Sequence, residues 1–195
     1  MPAQASFPGF DVPAKPADRL FFAVFPDAEA AEHIAQLARQ LRSQHGLRGK
    51  PLNTGRFHVT LHHLGDYAGL RQDIIAQASQ AASSLRVLQP FEIAFDLAAS
   101  FSSTPRNRPF VLRGGEGLVA LTAFQQALGT AMKRVGLGQW AKPAYTPHVT
   151  LLYDDQVVAE QNVTPVAWTA REFVLVHSLI GQNRHVALQR WALHG

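Results

Sequence analysis

The chain contains no cysteine. Disulfide cross-links, thiolate nucleophiles and cysteine-ligated zinc are therefore excluded. No apolar run approaches the roughly 18 residues that a membrane-spanning helix needs. No lysine- or arginine-rich run is present, so tracking of a long nucleic acid is not indicated. The segment Met1 to Pro16 holds four prolines and lacks the apolar stretch of a secretory signal. Residues 1–18 read as a flexible tail, residues 19–195 as a single bilobal domain, and a cytoplasmic location is the expectation.

What is present is enough for a core. Of 195 residues, 47% are hydrophobic, which suits one compact domain or two small lobes. The net charge of +4 and a pI near 9.9 are compatible with a polyanionic ligand, and equally with an ordinary basic protein.

One tetrapeptide occurs twice: His58-Val59-Thr60-Leu61 and His148-Val149-Thr150-Leu151, ninety residues apart, in a chain with nine histidines. Side chains alternate along a β-strand. Each copy therefore sets an imidazole and a hydroxyl on one face over apolar residues on the other. Two such strands facing each other place two imidazoles and two hydroxyls around one small site. One such histidine alone is more often a surface or satisfied core residue. Two copies in equivalent places reverse that weighting.

The flanking pattern repeats as well. Arg19 to Phe25 reads as a buried strand, and Asp27 as the N-cap of a helix that Gly46 stops. Pro109 to Leu112 reads as the matching strand. After the turn Gly114 to Gly117, an apolar helix stops at Gly136. The 39-residue interval from Arg19 to His58 recurs from Pro109 to His148. Leu70 to Leu85 predicts a further helix, Phe91 to Phe95 a strand. Glu172 to Ile180 and His185 to Leu193 predict a hairpin. The expectation is an α+β fold: two strand–helix–strand units related by a pseudo-twofold, with mostly antiparallel sheets around a central cleft. It has six or seven strands and three helices.

A pair of imidazoles can run an in-line displacement at phosphorus, one taking a proton from the attacking oxygen and the other protonating the leaving oxygen. The threonine hydroxyls can bind the non-bridging oxygens as charge builds. No metal is required, and a 2′,3′-cyclic phosphate suits such a site.

The chain resembles the two-histidine (2H) phosphoesterases, and within them the RNA 2′,3′-cyclic phosphodiesterases of the 2′-5′ RNA ligase (LigT/ThpR-like) family. The resemblance spans about Arg19 to Leu193. It rests on Leu20 to Pro26, on His58 to Leu61 with Leu64-Gly65-Asp66, on Arg108-Pro109 with Val111-Leu112, and on Pro147 to Leu151. It implies hydrolysis of a cyclic phosphate, on an RNA end or a small nucleotide, to a 2′-phosphate, with reversible 2′-5′ ligation in some members. It also implies His58 as general acid and His148 as general base, with Thr60 and Thr150 beside them. The enzyme expected from this reading has no cofactor, no metal, no membrane association and no obligatory protein partner, and is monomeric.

Two positions depart from the family pattern. His63 stands where RNA-processing members commonly carry phenylalanine, and Tyr153 where many carry arginine. If that arginine binds phosphate in the relatives, this protein draws its cation from elsewhere.

Further candidates for substrate binding are Arg108, His62, Tyr153 and Phe57. Strict alternation puts His62 on the face of His58 and Thr60, and His63 on the packed face. Arg48, Lys50 and Arg56 form a basic loop that could attract an RNA backbone, although a solvated loop is the commoner reading. Tyr145 and Trp140 lie near the second motif, and His177 sits in a late strand. Two rival functions use the same residues: ligation of RNA ends, and RNA binding without turnover. The presence of both His/Thr pairs argues against the latter.

Overall fold

The computed structural model describes residues 15–85, 89–102 and 106–194. It contains eight strands and three α-helices of eight residues or more among those residues. The strands are β1 (Asp18–Val24), β2 (Val59–Tyr67), β3 (Phe91–Ser100), β4 (Arg108–Arg113), β5 (Val149–Asp154), β6 (Gln161–Ala170), β7 (Glu172–Leu179) and β8 (Arg184–Ala192). The helices are α1 (Ala28–Gln44), α2 (Gln72–Ser83) and α3 (Val119–Arg134). Of the expected tail, residues 1–14 lie outside the described residues. Ala17 donates its N–H to the Tyr67 carbonyl at 2.9 Å, and Asp18 opens β1.

The strands form one sheet in the order β6-β3-β4-β5-β2-β1-β7-β8, and every pair is antiparallel. Read outward from the middle, β2-β1-β7-β8 mirrors β5-β4-β3-β6. The expected α+β class and the repeated unit are therefore present. The two half-sheets meet at a single bridge, Val59 to Val149.

Strand β6 escapes a reading of periodicity for a physical reason. It is an edge strand with one wetted face, and Pro165 lies in the irregular stretch where Leu97 pairs with Asn162 after Phe95 pairs with Val166. Proline is tolerated at such edges and bulges.

The equal spacing of the two halves is offset in space. Phe21 pairs with His63 and Ala23 with Thr60, whereas Pro109 pairs with Tyr153 and Val111 with Thr150. Phe21, not Arg19, is thus the counterpart of Pro109, two residues away from the correspondence that intervals alone suggest.

The helices end as the sequence predicts. The Asp27 carboxylate accepts from the Ala30 N–H at 2.8 Å and caps α1. Gly46 and Gly136 take left-handed φ values of 62° and 88° past the ends of α1 and α3. The following Leu47 and Leu137 each donate back to a helix carbonyl at 2.9 Å, on Arg42 and Met132, and both leucines are buried. That is the glycine-terminated C-cap, with its hydrophobic contact, used twice.

One large core holds Phe22, Val24, Phe95, Phe110, Phe173 and the inner faces of all three helices. Each fully buried side chain of that size contributes roughly 1.5–3 kcal/mol. A small second cluster, Phe21, Ala23, Val174 and Val176, with Phe25 packed on it, covers the other face of β1 and β7. That face is the one toward the cleft.

Candidate functional site

The Val59–Val149 bridge fixes the geometry of the motifs. In an antiparallel pair, residues equally displaced from a bridge lie opposite one another on the same face. His58 therefore stands across from Thr150, and Thr60 across from His148. The imidazoles occupy one diagonal and the hydroxyls the other. Val59, Leu61, Val149 and Leu151 point the opposite way and are buried.

A β-bulge follows each motif and decides which later side chains reach the site. Ala23 pairs with Thr60 and Phe22 with His62, leaving Leu61 as the extra residue. Val111 pairs with Thr150 and Phe110 with Leu152, leaving Leu151 as the extra residue. A bulge reverses the alternation beyond it. Leu61 and His62 are both buried, as are Leu151 and Leu152. His63 and Tyr153 then return to the cleft face.

The resulting cleft has a volume of about 440 Å3 and is lined by both His/Thr pairs, His63 and Tyr153. Arg19, Phe21, Leu52, Arg56, Ser178 and His185 complete its wall. No acidic side chain lines it among the described residues.

The two imidazoles are held alike. His58 Nδ1 lies 2.8 Å from the Arg56 carbonyl, and His148 Nδ1 lies 2.8 Å from the Thr146 carbonyl. A carbonyl can only accept, so each Nδ1 carries the hydrogen and each neutral ring keeps its Nε2 lone pair. Burial lowers the pKa of His58 to about 4, and nearby Arg56 and His148 add to the effect. Burial also lowers His148. Aromatic rings supply the desolvation: Phe21 and Phe25 lie 5.1 and 5.9 Å from the His58 ring, and Phe101 lies 4.9 Å from His148. Two neutral imidazoles with free nitrogens can accept a proton, and an arriving anion restores their capacity to donate one.

Three of the residues that the sequence suggests for substrate binding lie elsewhere. His62 is 4% exposed and packs against α3. Its Nε2 lies 2.9 Å from the Gln125 carbonyl, and Gly129 leaves room for the ring. The bulge, which alternation does not foresee, turns it inward. Phe57 is 1% exposed and belongs to the main core. Arg108 does not line the cleft; its guanidinium bonds the Asp155 carbonyl where β4 begins. His177 is likewise held away, against Asp18 at 2.6 Å. The fourth candidate, Tyr153, does line the cleft and is 43% exposed.

Other cleft residues are ones that alternation along the strands does not assign to the site. Alternation puts His63 on the packed face, yet it lines the cleft, with Nε2 2.9 Å from Asp66. Arg19 makes a two-pronged pair with the same carboxylate, both contacts at 2.7 Å. The guanidinium holds Asp66 down to about pKa 2, with His63 assisting. His185 stands edge-on to His58 at 5.0 Å. Only the pairing of β8 through β7 to β1 brings it there, so no local signal marks it. Among the described residues, no group of three His, Asp or Glu side chains is arranged to hold a metal ion.

An antiparallel sheet that brings two His-x-Thr pairs together at its seam defines a two-histidine phosphoesterase of the LigT type. The chain belongs to the 2′-5′ RNA ligase superfamily, whose family profile matches residues 25–182. Among solved structures it is similar to apo LigT of E. coli, with 26% identity and a TM-score of 0.64 over 93% of this chain and 100% of that one. LigT complexed with NADP+ gives 26% and 0.65, over 92% and 99%. The protein TT0787 of Thermus thermophilus shares the fold at 23% identity and 0.65, over 91% and 98%. No curated protein sequence matches the chain significantly. No helix among the described residues is long and apolar enough to cross a membrane.

Proposed function

We propose that the protein hydrolyses 2′,3′-cyclic phosphates, at RNA ends or on small nucleotides, to 2′-phosphates without a metal ion. The observation that carries this reading is the matched pair of imidazoles, each with Nδ1 tied to a carbonyl two residues earlier and Nε2 left for the shared cleft.

His148 takes a proton from water as the water oxygen bonds to phosphorus. The bond from phosphorus to the 3′ oxygen breaks, and His58 delivers its proton to that oxygen. Thr60 and Thr150 donate to the non-bridging oxygens as charge accumulates. The acid role needs a proton on His58, and the anionic phosphate supplies the field that restores it against the effect of burial. Solvent then restores the starting protonation of both rings. The reading is of a monomeric, cytoplasmic enzyme with no resident cofactor.

The same displacement with a 5′-hydroxyl in place of water forms its bond to phosphorus as the bond to the 3′ oxygen breaks, and so joins ends through a 2′-5′ linkage. The description of the superfamily as RNA ligases favours this second reaction. LigT has been crystallised with 3′-AMP and with ATP, which supports a nucleotide as the ligand here.

The test is incubation of a cyclic-phosphate-ended oligonucleotide with the protein in EDTA, followed by product analysis. A 2′-phosphate product that disappears with His58→Ala and with His148→Ala is expected. Wild-type rates in either variant, or loss of activity in EDTA, would overturn the reading.

A further inference from the structure

The flank of the cleft beyond His58 carries polar groups that the chemistry above does not use. Arg56 closes the 3₁₀ turn Thr54–Arg56. Its Nη1 donates to Asn183 Oδ1 at 3.1 Å, which holds the guanidinium against the β7–β8 turn. Its Nε is buried without a partner. Two residues past Asn183, His185 Nδ1 is also buried without a partner. Both side chains line the cleft, and neither pairs with a carboxylate among the described residues. Unsatisfied buried polar atoms are uncommon and costly, and two of them belong to side chains on one flank of the cleft.

The charge of that ligand follows from the wall. Arg56 is a fixed cation with an idle donor, and among the described residues no acidic side chain lines the cleft. His185 is lowered to about 4 by burial and by its neighbours His58, Arg56 and Arg19, so it too gains from an anion. The position follows from the sheet order. His148 lies on the β5 side of His58, and His185 on the β8 side. An anion held by Arg56 and His185 therefore lies toward the β8 side of one held between the two motif histidines.

We propose that Arg56 and His185 form a second anion subsite, which takes the 5′ phosphate of the nucleoside whose 2′,3′ end enters between His58 and His148. The inference rests on the proposed function for the placement of the first phosphate. It makes a phosphorylated RNA end, rather than a nucleoside cyclic monophosphate, the preferred substrate class. Arg56 supplies a guanidinium donor to the phosphate, and His185 supplies its ring N–H.

The experiment compares binding of a nucleoside 2′-monophosphate and the matching 2′,5′-bisphosphate by titration calorimetry, in the wild type, Arg56→Gln and His185→Gln. The wild type is expected to prefer the bisphosphate by roughly tenfold or more, the effect of one charge-assisted hydrogen bond. Each variant is expected to lose most of that preference. Absence of a preference in the wild type, or its persistence in both variants, overturns the subsite. If Arg56→Gln does not fold, His185→Gln, on a different element, decides alone. Binding of products requires no turnover, so the two readings fail separately. A protein that shows the preference but cleaves no cyclic phosphate keeps the subsite and loses the hydrolase reading. One that cleaves without the preference loses only the subsite.

Discussion

A Cβ added at Gly129 stands 3.1 Å from Cε1 of His62. Helix α3 thus approaches β2 through a gap that only glycine leaves open, and the imidazole fills it. Gly129→Ala sets overpacking of about 1–3 kcal/mol against a helix-propensity gain of about 1 kcal/mol, and a net destabilisation is expected because the Gln125 carbonyl holds the ring in place. In a His62→Ala background the same change costs less, because the ring is gone. Denaturant unfolding of the four members of this cycle measures the coupling. Equal costs in both backgrounds would show that the contact has no energetic weight.

Removal of His58 or His148 is expected to lower kcat by about 10² to 10⁴ each. The double variant should fall little further, because an acid and a base that act in one step fail together. Thr60→Val and Thr150→Val remove a hydroxyl with little change of shape and should each lose roughly 10-fold to 10³-fold. Single-turnover rates decide the matter, and strictly multiplicative losses for the two histidines would contradict a concerted role.

The pH dependence of kcat/KM reports groups in the free enzyme. Burial lowers His58 to about 4 and also lowers His148. Both limbs of the bell are therefore expected below about pH 6.5, the ordinary imidazole value. The kcat profile should lie at higher pH, because bound phosphate favours the protonated rings. A kcat/KM optimum above about pH 7 would be incompatible with these depressed histidines.

Stability should fall on mild acidification. His58 and His185 stay neutral in the folded protein down to about pH 4, whereas unfolded imidazoles take up a proton near 6.5. Their contribution is complete above about pH 6.5 and is lost as the pH drops toward 4. Asp66, held down to about 2 by Arg19, adds a further loss only below its ordinary value of 3.8. Thermal melts between pH 7 and pH 4.5 should show a declining Tm, with a shallower decline in His58→Gln. A flat Tm across that range would contradict the burial of these rings.

Tyr153 offers a gain-of-affinity test. It occupies the post-bulge position in the second half that His63 occupies in the first, and it faces the cleft. Tyr153→Arg adds a cation at that point and is expected to tighten binding of inorganic phosphate by roughly tenfold. Unchanged binding would mean that position 153 does not reach the anion.

The elements that the sequence reveals are those governed by local rules. The Asp27 cap, the terminating glycines 46 and 136 and the doubled His-x-Thr strands all follow from spacing and residue type. Strict alternation fails at Leu61 and Leu151, because a bulge depends on the partner strand and leaves no mark on its own segment. That one device exchanges His62 for His63 in the cleft. His185 and Arg19 are hidden for a different reason: each reaches the site through strand neighbours remote in sequence. Phe57 adjoins the first motif in sequence but is sealed in the core, and Arg108, which opens the strand paired with the second motif, is held at that strand's end.

The order of strands has a consequence for how the molecule comes apart. The half-sheet that carries His58 takes β1 and β2 from the front of the chain and β7 and β8 from its end, while β3 to β6 build the other half between them. Helix α1, which leads from β1 to β2, packs on β5 and β6 of the opposite half. The first half is split between two distant stretches, and the second, although its strands run consecutively from Phe91 to Ala170, takes helical cover from α1 of the first. Limited proteolysis or truncation should therefore yield no surviving half-molecule, and the protein should melt in one cooperative step.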